Sequence, residues 1–143
     1  MNHRRASVND CHWLAGLNHQ LIQDEGHRNP MSVAELEERL RQWLVTEYCG
    51  IIFEENGLPV AYAIYREEKE SIYLRQFFVM RERRRNGVGR RAMNILLTEI
   101  WPKDKKRTVE VLFNNRPAVE FWKAIGYREY SLAMEIPPEK TAR

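Results

Sequence analysis

Apolar residues recur at helical spacing twice before the chain turns to strands. Leu14, Leu17 and Leu21 share one face of a helix predicted to start near Asp10, a suitable cap. That helix ends in QDEGHRNP, where Gly26 and Pro30 stop it. A second helix starts at Ser32, which forms a capping box with Glu35, and Val33, Leu36, Leu40 and Leu44 supply its stripe. Glu35 with Arg39 and Glu37 with Arg41 stand four apart, as on a solvated face. The period then changes. GIIFEE and LPVAYAIYR flank Asn56-Gly57, a hairpin signal, and SIYLRQFFVM is a third strand rich in β-branched and aromatic residues. A helix follows from about Val88 to Trp101, with Ala92, Leu96 and Ile100 four apart beside Met93 and Leu97. TVEVLF reads as a strand, PAVEFWKAI as a short helix with proline in its first turn, and YREYSLAMEI as a closing strand.

The order is α-α-β-β-β-α-β-α-β, a mixed α/β chain. Strand, helix and strand over residues 71 to 113 imply one parallel pair joined by a right-handed crossover. Residues 4 to 8 are a poor strand, so a strand ahead of the first helix is expected to be truncated or missing. No repeat or linker interrupts the chain, so a single domain over residues 1–143 is expected, loose at about 1–6 and 138–143.

Composition narrows the class. Hydrophobic residues make up 43% and charged residues 30% of 143, an ordinary globular balance that can bury its own core. No apolar run approaches the ~20 residues of a membrane helix, and MNHRRASVND lacks the apolar centre of a signal peptide. Cys11 and Cys49 are far apart, so reduced thiols in a cytoplasm are expected. His3, His12, His19 and His27 lack metal-ligand spacing with them, and no metal is expected. Net charge is +3, too small to argue for nucleic acid by itself. Its distribution says more: Arg81, Arg83, Arg84, Arg85, Arg90 and Arg91 fall within eleven residues. A nucleic-acid binder needs a basic face rather than one basic loop, and Glu82 and Glu99 lie around this one.

That loop, RRRNGVGRR, lies between a strand end and a helix start. The first turn of a helix has amides without partners and a partial positive charge. Gly87 and Gly89 bare the backbone, and arginines add paired donors for phosphate oxygens. Together they suit a phosphate. The spacing is neither GxxxxGK[ST] nor a dinucleotide fingerprint. The plainer reading is a set of solvated arginines.

The run V-x-x-x-x-R-x-x-G-x-G, from Val79 to Gly89, resembles the acetyl-CoA-binding motif of the GNAT family of N-acetyltransferases. Arg84, Gly87 and Gly89 occupy its fixed positions. FNNRPAVEFWKAIGY resembles the family's next motif at Asn115, Ala118, Phe121 and Gly126-Tyr127, one helix and one strand later. The resemblance covers nearly the whole chain. It implies a mostly antiparallel sheet with one splayed parallel strand pair, flanked by helices, and acetyl-CoA as co-substrate.

On that resemblance, backbone amides of Arg85, Asn86, Gly87, Val88, Gly89 and Arg90 hold the pyrophosphate, with Arg84 at the motif's head. Phe77, Phe78 and Val79 offer strand backbone to the pantetheine arm and thioester carbonyl, and Asn115 hydrogen-bonds the arm. Glu110, five residues before Asn115, takes the place of a general base, which a protonated amine needs before it attacks; its plainer reading is a half-exposed strand glutamate. Trp122 stands where many members carry a tyrosine acid, and Tyr73 where others carry a strand glutamate. Asp24, Glu25 and His27 lie in the loop that lines the acceptor cleft in the family, where acids favour a cationic amine; a solvated capping loop is the plainer reading. The acceptor class stays open among a protein terminus, a lysine, a polyamine, an amino acid and a drug. A second reading, favoured by Trp122, is a degenerate acetyl-CoA-binding sensor or partner module. The closing strand would leave an edge for a homodimer.

Overall fold

A computed structural model describes residues 1–139. The chain divides into two compact units, one of residues 1–110 and one beginning at Val111. The first contains β1 (Asn2–Arg5), α1 (Cys11–Glu25), α2 (Val33–Val45), β2 (Tyr48–Glu55), β3 (Leu58–Glu67), β4 (Ser71–Val79), α3 (Val88–Ile95) and β5 (Lys106–Val109). The five strands form one sheet in the order β1-β2-β3-β4-β5. Neighbours are antiparallel except β4 and β5, which are parallel as the strand-helix-strand series requires.

The apolar stripes of α1 and α2 cover one face. Leu14, Leu17, Leu21, Leu36 and Leu40 are buried against Tyr48, Ile52, Tyr62, Ile64 and Phe78. α3 packs on β3 and β4 with Val88, Ala92 and Met93 buried, and Trp101 meets Tyr65 edge-on at 5.4 Å on the other face. The last turn, Leu96–Ile100, widens so that the Trp101 N–H reaches the Leu96 carbonyl at 2.8 Å.

Local chemistry explains the boundaries. Ser32 and Glu35 exchange side-chain bonds with each other's amides at 3.0 and 3.2 Å. Gly26 ends α1 in the left-handed conformation at φ 69°. Asn56 (φ 53°) and Gly57 (φ 77°) are both left-handed, which suits a two-residue hairpin between right-twisted strands. Asp10 precedes α1, but its carboxylate accepts from the Ser7 amide at 2.8 Å and from Arg4 at 3.0 Å, so it closes the preceding turn.

One sequence expectation is sharpened and two are corrected. A first strand is present at Asn2–Arg5, paired with β2 from Asn2↔Glu54 to Arg5↔Ile51. All four residues are exposed, so no alternation marks it; a charged edge strand is held by backbone pairing and by Arg4 bridging Asp10 and Glu54. The strand expected at TVEVLF is shorter and earlier, at Lys106–Val109. YREYSLAMEI forms no strand among the described residues. Tyr130, Leu132, Met134 and Ile136 alternate as a strand would, yet all are exposed, and alternation without a paired ladder does not hold a strand. The edge-pairing argument for a homodimer loses its strand with it. At the chain's end, residues 140–143 of the expected loose tail lie outside the described residues.

β4 and β5 pair only from Ser71↔Lys106 to Leu74↔Val109, while β4 continues to Val79. The departure coincides with a bulge. Tyr65 faces Leu74 and Ile64 faces Gln76, so Arg75 is the extra residue on β4. Beyond it, β4 stays paired with β3 as far as Val79, while its pairing with β5 has ended.

The second unit holds α4 (Arg116–Ile125). Asn115 caps it, its side-chain oxygen accepting from the Ala118 amide at 3.4 Å. Trp122 lies edge-on to Phe121 at 4.9 Å and to Tyr127 at 5.4 Å.

Candidate active site

The open half of β4 leads straight into the arginine loop. The Met80 amide donates to the Val60 carbonyl at 2.9 Å, which fixes the strand's alternation here. Phe78, two residues back, also turns its backbone toward β3, whereas Phe77 and Val79 turn theirs toward the side where β5 has ended. Of the three residues assigned to the arm, Phe77 and Val79 therefore turn their backbone away from β3. Phe78 is buried beneath Arg84, whose guanidinium lies 5.0 Å from its ring centroid.

The loop arginines divide into two groups. Arg84 donates to the Val79 carbonyl at 3.0 Å and to Asp24 at 2.8 Å, and Arg81 binds the same carboxylate at 2.8 Å. Arg91 pairs with Glu55 and donates to the Asn86 carbonyl. These three shape the loop. Arg85 and Arg90 make no ion pair among the described residues and stay available to an anion.

Between them the backbone is arranged for close approach. Arg85 (φ 67°) and Gly87 (φ 75°) are both left-handed. Gly87 caps α3, and a Cβ there would sit 3.1 Å from Arg91 Nη1. The Arg91 amide donates to the Gly87 carbonyl at 3.1 Å; the amides of Val88, Gly89 and Arg90 before it belong to the first turn and have no intrahelical acceptor. Consecutive bare amides at a helix start, beside unpaired guanidinium groups, fit a phosphate or pyrophosphate.

The three loop residues expected to face an acceptor part company. Asp24 is held by Arg81 first and then Arg84, which keep its carboxyl below the usual aspartate range. Glu25 and His27 instead line a pocket of about 200 Å³ with Asn18, Asn29, Arg39, Arg75 and Gln76. Burial pushes the Glu25 carboxyl up, with His27 Nε2 at 3.7 Å opposing it. Gln76 accepts from the Tyr62 hydroxyl at 3.0 Å, so the pocket's floor is fixed. Sequence reading did not find Asn18, Arg39, Arg75 or Gln76. Their only signal was polar residues interrupting apolar faces, which a solvated face produces equally well.

Glu110 follows β5 directly and is exposed. Register places it past Thr108, the partner of Tyr73, and its charge, after burial, raises the Tyr73 phenol. Asn115 is engaged as the α4 cap, its amide donating to the Leu112 carbonyl at 3.0 Å. Among the described residues no cluster of three or more His, Cys, Asp or Glu could hold a metal, and no helix is long and apolar enough to cross a membrane.

Comparison with known proteins places this geometry. The family model "Acetyltransferase (GNAT) family" matches residues 17–127. A point mutant of the BH1408 protein from Bacillus halodurans superposes with a TM-score of 0.80 at 20% identity, covering 97% of this chain and 100% of that one. A predicted acetyltransferase from Clostridium acetobutylicum with acetyl-CoA gives 0.72 at 19% identity, covering 95% of each chain. The aminoglycoside antibiotic 6'-N-acetyltransferase AAC(6')-IG from Acinetobacter haemolyticus gives 0.74 at 17%, covering 99% of this chain and 100% of that one. No curated protein sequence matches the chain. At these identities the structures establish the fold, and with the family match over most of its length, the chain belongs to the acetyltransferase (GNAT) family.

Proposed function

We propose that the chain transfers the acetyl group of acetyl-CoA to a primary amine. The observation that carries this reading is the continuity of two features. The edge of β4 beyond its pairing with β5, where the Val79 amide faces away from β3, leads through one short turn to the first-turn amides of α3 at Val88–Arg90. A ligand with an amide-bearing arm at one end and a pyrophosphate at the other needs both, in that order. The acetyltransferase from Clostridium acetobutylicum solved with acetyl-CoA supports the choice of ligand.

Transfer forms an N–C bond to the acetyl carbon and breaks its C–S bond. The chain's residues supply position and proton removal. An amide at the open β4 edge stabilises charge on the thioester oxygen during attack. Glu110 takes the proton that the acceptor amine loses, through water, at its exposed carboxylate. The sulfur leaves as a thiolate and takes a proton from solvent, since Trp122 is no acid. Reducing, cytoplasmic conditions suit the two free thiols, Cys11 and Cys49. Thiol release from acetyl-CoA over a panel of primary amines tests the reading; binding of acetyl-CoA without release on any amine contradicts it.

That contrary outcome is the second reading, an acetyl-CoA-binding module without turnover. Trp122 in place of a phenol favours it, as does the capping role that holds Asn115. Trp122→Tyr separates the two: faster turnover means a missing acid limits a working enzyme.

A further inference from the structure

The pocket beneath the α1–α2 loop is charged in an unbalanced way. It contains one carboxylate, Glu25, and two guanidinium groups, Arg39 and Arg75. Both arginines lean on the same indole, with their guanidinium carbons 4.3 and 4.6 Å from the Trp43 ring centroid. Neither has an acidic partner among the described residues. Arg39 donates to Asn18 Oδ1 at 3.4 Å, yet its Nε is buried with no hydrogen-bond partner. Burial and the neighbouring Arg75 both work against the Arg39 charge. A buried donor left unmade is costly, and Arg75 brings a second positive charge to the same ring, so an anion between the two is favoured.

Size points the same way. A pocket of about 200 Å³ is below the ~300–1,000 Å³ usual for drug-sized ligands, so it suits an acceptor of few heavy atoms rather than an oligosaccharide. Position completes the argument. Gln76 and Arg75 line the pocket from β4, just past Leu74, where its pairing with β5 ends.

We propose that the acceptor is a small amine carrying its own carboxylate, of the free amino-acid class, with the carboxylate between Arg39 and Arg75 and the amine toward Glu25. The inference rests on the acetyl-transfer reading above. It separates this chain from an enzyme for polycationic amines, which Asp24 and Glu25 together would have favoured. Asp24 is already neutralised by Arg81 and Arg84, and the remaining pocket charge is net positive.

The experiment is thiol release from acetyl-CoA with paired acceptors: free amino acids, the same amino acids as carboxamides, a linear polyamine and an aminoglycoside. The free acids should be preferred over their carboxamides by about tenfold or more, the scale of one charge-assisted contact. Arg75 is exposed, so Arg75→Gln should fold normally. It should raise KM for the acid about tenfold, leave KM for the carboxamide and for acetyl-CoA unchanged, and be partly rescued by Arg75→Lys. Equal or better use of carboxamides, polyamine or aminoglycoside overturns the carboxylate while leaving acetyl transfer intact. Binding of acetyl-CoA with no release from any acceptor overturns the transfer reading and this inference together.

Discussion

The two halves of β4 have the same strand geometry and opposite surroundings. From Ser71 to Leu74 the strand is paired on both sides, with β3 and with β5. After the bulge at Arg75 it keeps β3 but no longer β5, and a loop leading to the first-turn amides of α3 follows it. One half closes the sheet, so its backbone groups satisfy each other. The other turns the Val79 amide away from β3, where a ligand can pair with it, while the Val79 carbonyl is already held by Arg84. One strand thus separates stability from function over a few residues. Damage to the closed half should unfold the chain, and damage to the open half should disable a folded one.

The sharpest test of that division is the loop after the open half. Replacing both Gly87 and Gly89 with valine places a β-branched side chain at φ 75° and fills the approach to the amides. The rise in melting temperature that acetyl-CoA produces by mass action should vanish, while far-UV circular dichroism stays that of the parent. Glu110→Gln comes next. It keeps the size of an exposed side chain beside the opening, so turnover should fall about 10²- to 10⁴-fold with acetyl-CoA affinity unchanged. An unchanged rate removes Glu110 from the chemistry and leaves positioning of the neutral amine as the mechanism.

The closed half should answer in the opposite way. Ile72 is fully buried where β4 has both neighbours, and Ile72→Ala should cost about 2–5 kcal/mol by urea unfolding. Acetyl-CoA affinity of the remaining folded protein should be unchanged; a variant that folds well and loses the ligand would break the comparison. The smallest effect is expected at Asp24. Its carboxyl is depressed by Arg81 and Arg84, so its contribution is present above the ordinary aspartate range and is lost as pH falls through its lower folded value. Asp24→Asn should therefore lower stability at neutral pH by about 1 kcal/mol or less, since these are partly exposed pairs. The gap between variant and parent should close in strong acid.

Local signals carried most of the fold. The Ser32 and Glu35 box, the Asn56-Gly57 turn and the strand-helix-strand order around α3 depend on residues close in sequence, and the structure has all three. The parts that were not legible depend on distant partners. β1 has no apolar alternation and exists because β2 offers an edge. The bulge at Arg75 follows from pairing with β3 and leaves no mark in SIYLRQFFVM. Tyr130, Leu132, Met134 and Ile136 carry the alternation of a strand without forming one, because periodicity specifies a face and not a partner. The candidate site shows the same limit. The glycines and bare amides of the loop could be read directly, but Asp24 is claimed by arginines 57 and 60 residues away. The pocket pair of Arg39 and Arg75 is joined only by folding around Trp43.

Amide hydrogen exchange with and without saturating acetyl-CoA tests the central claim most directly. The account predicts slowed exchange at Val79 and across Arg85–Arg90, with no comparable change at Ser71–Leu74, whose backbone is already paired on both sides. Saturation by acetyl-CoA that leaves the Arg85–Arg90 amides exchanging at their unliganded rates would contradict it.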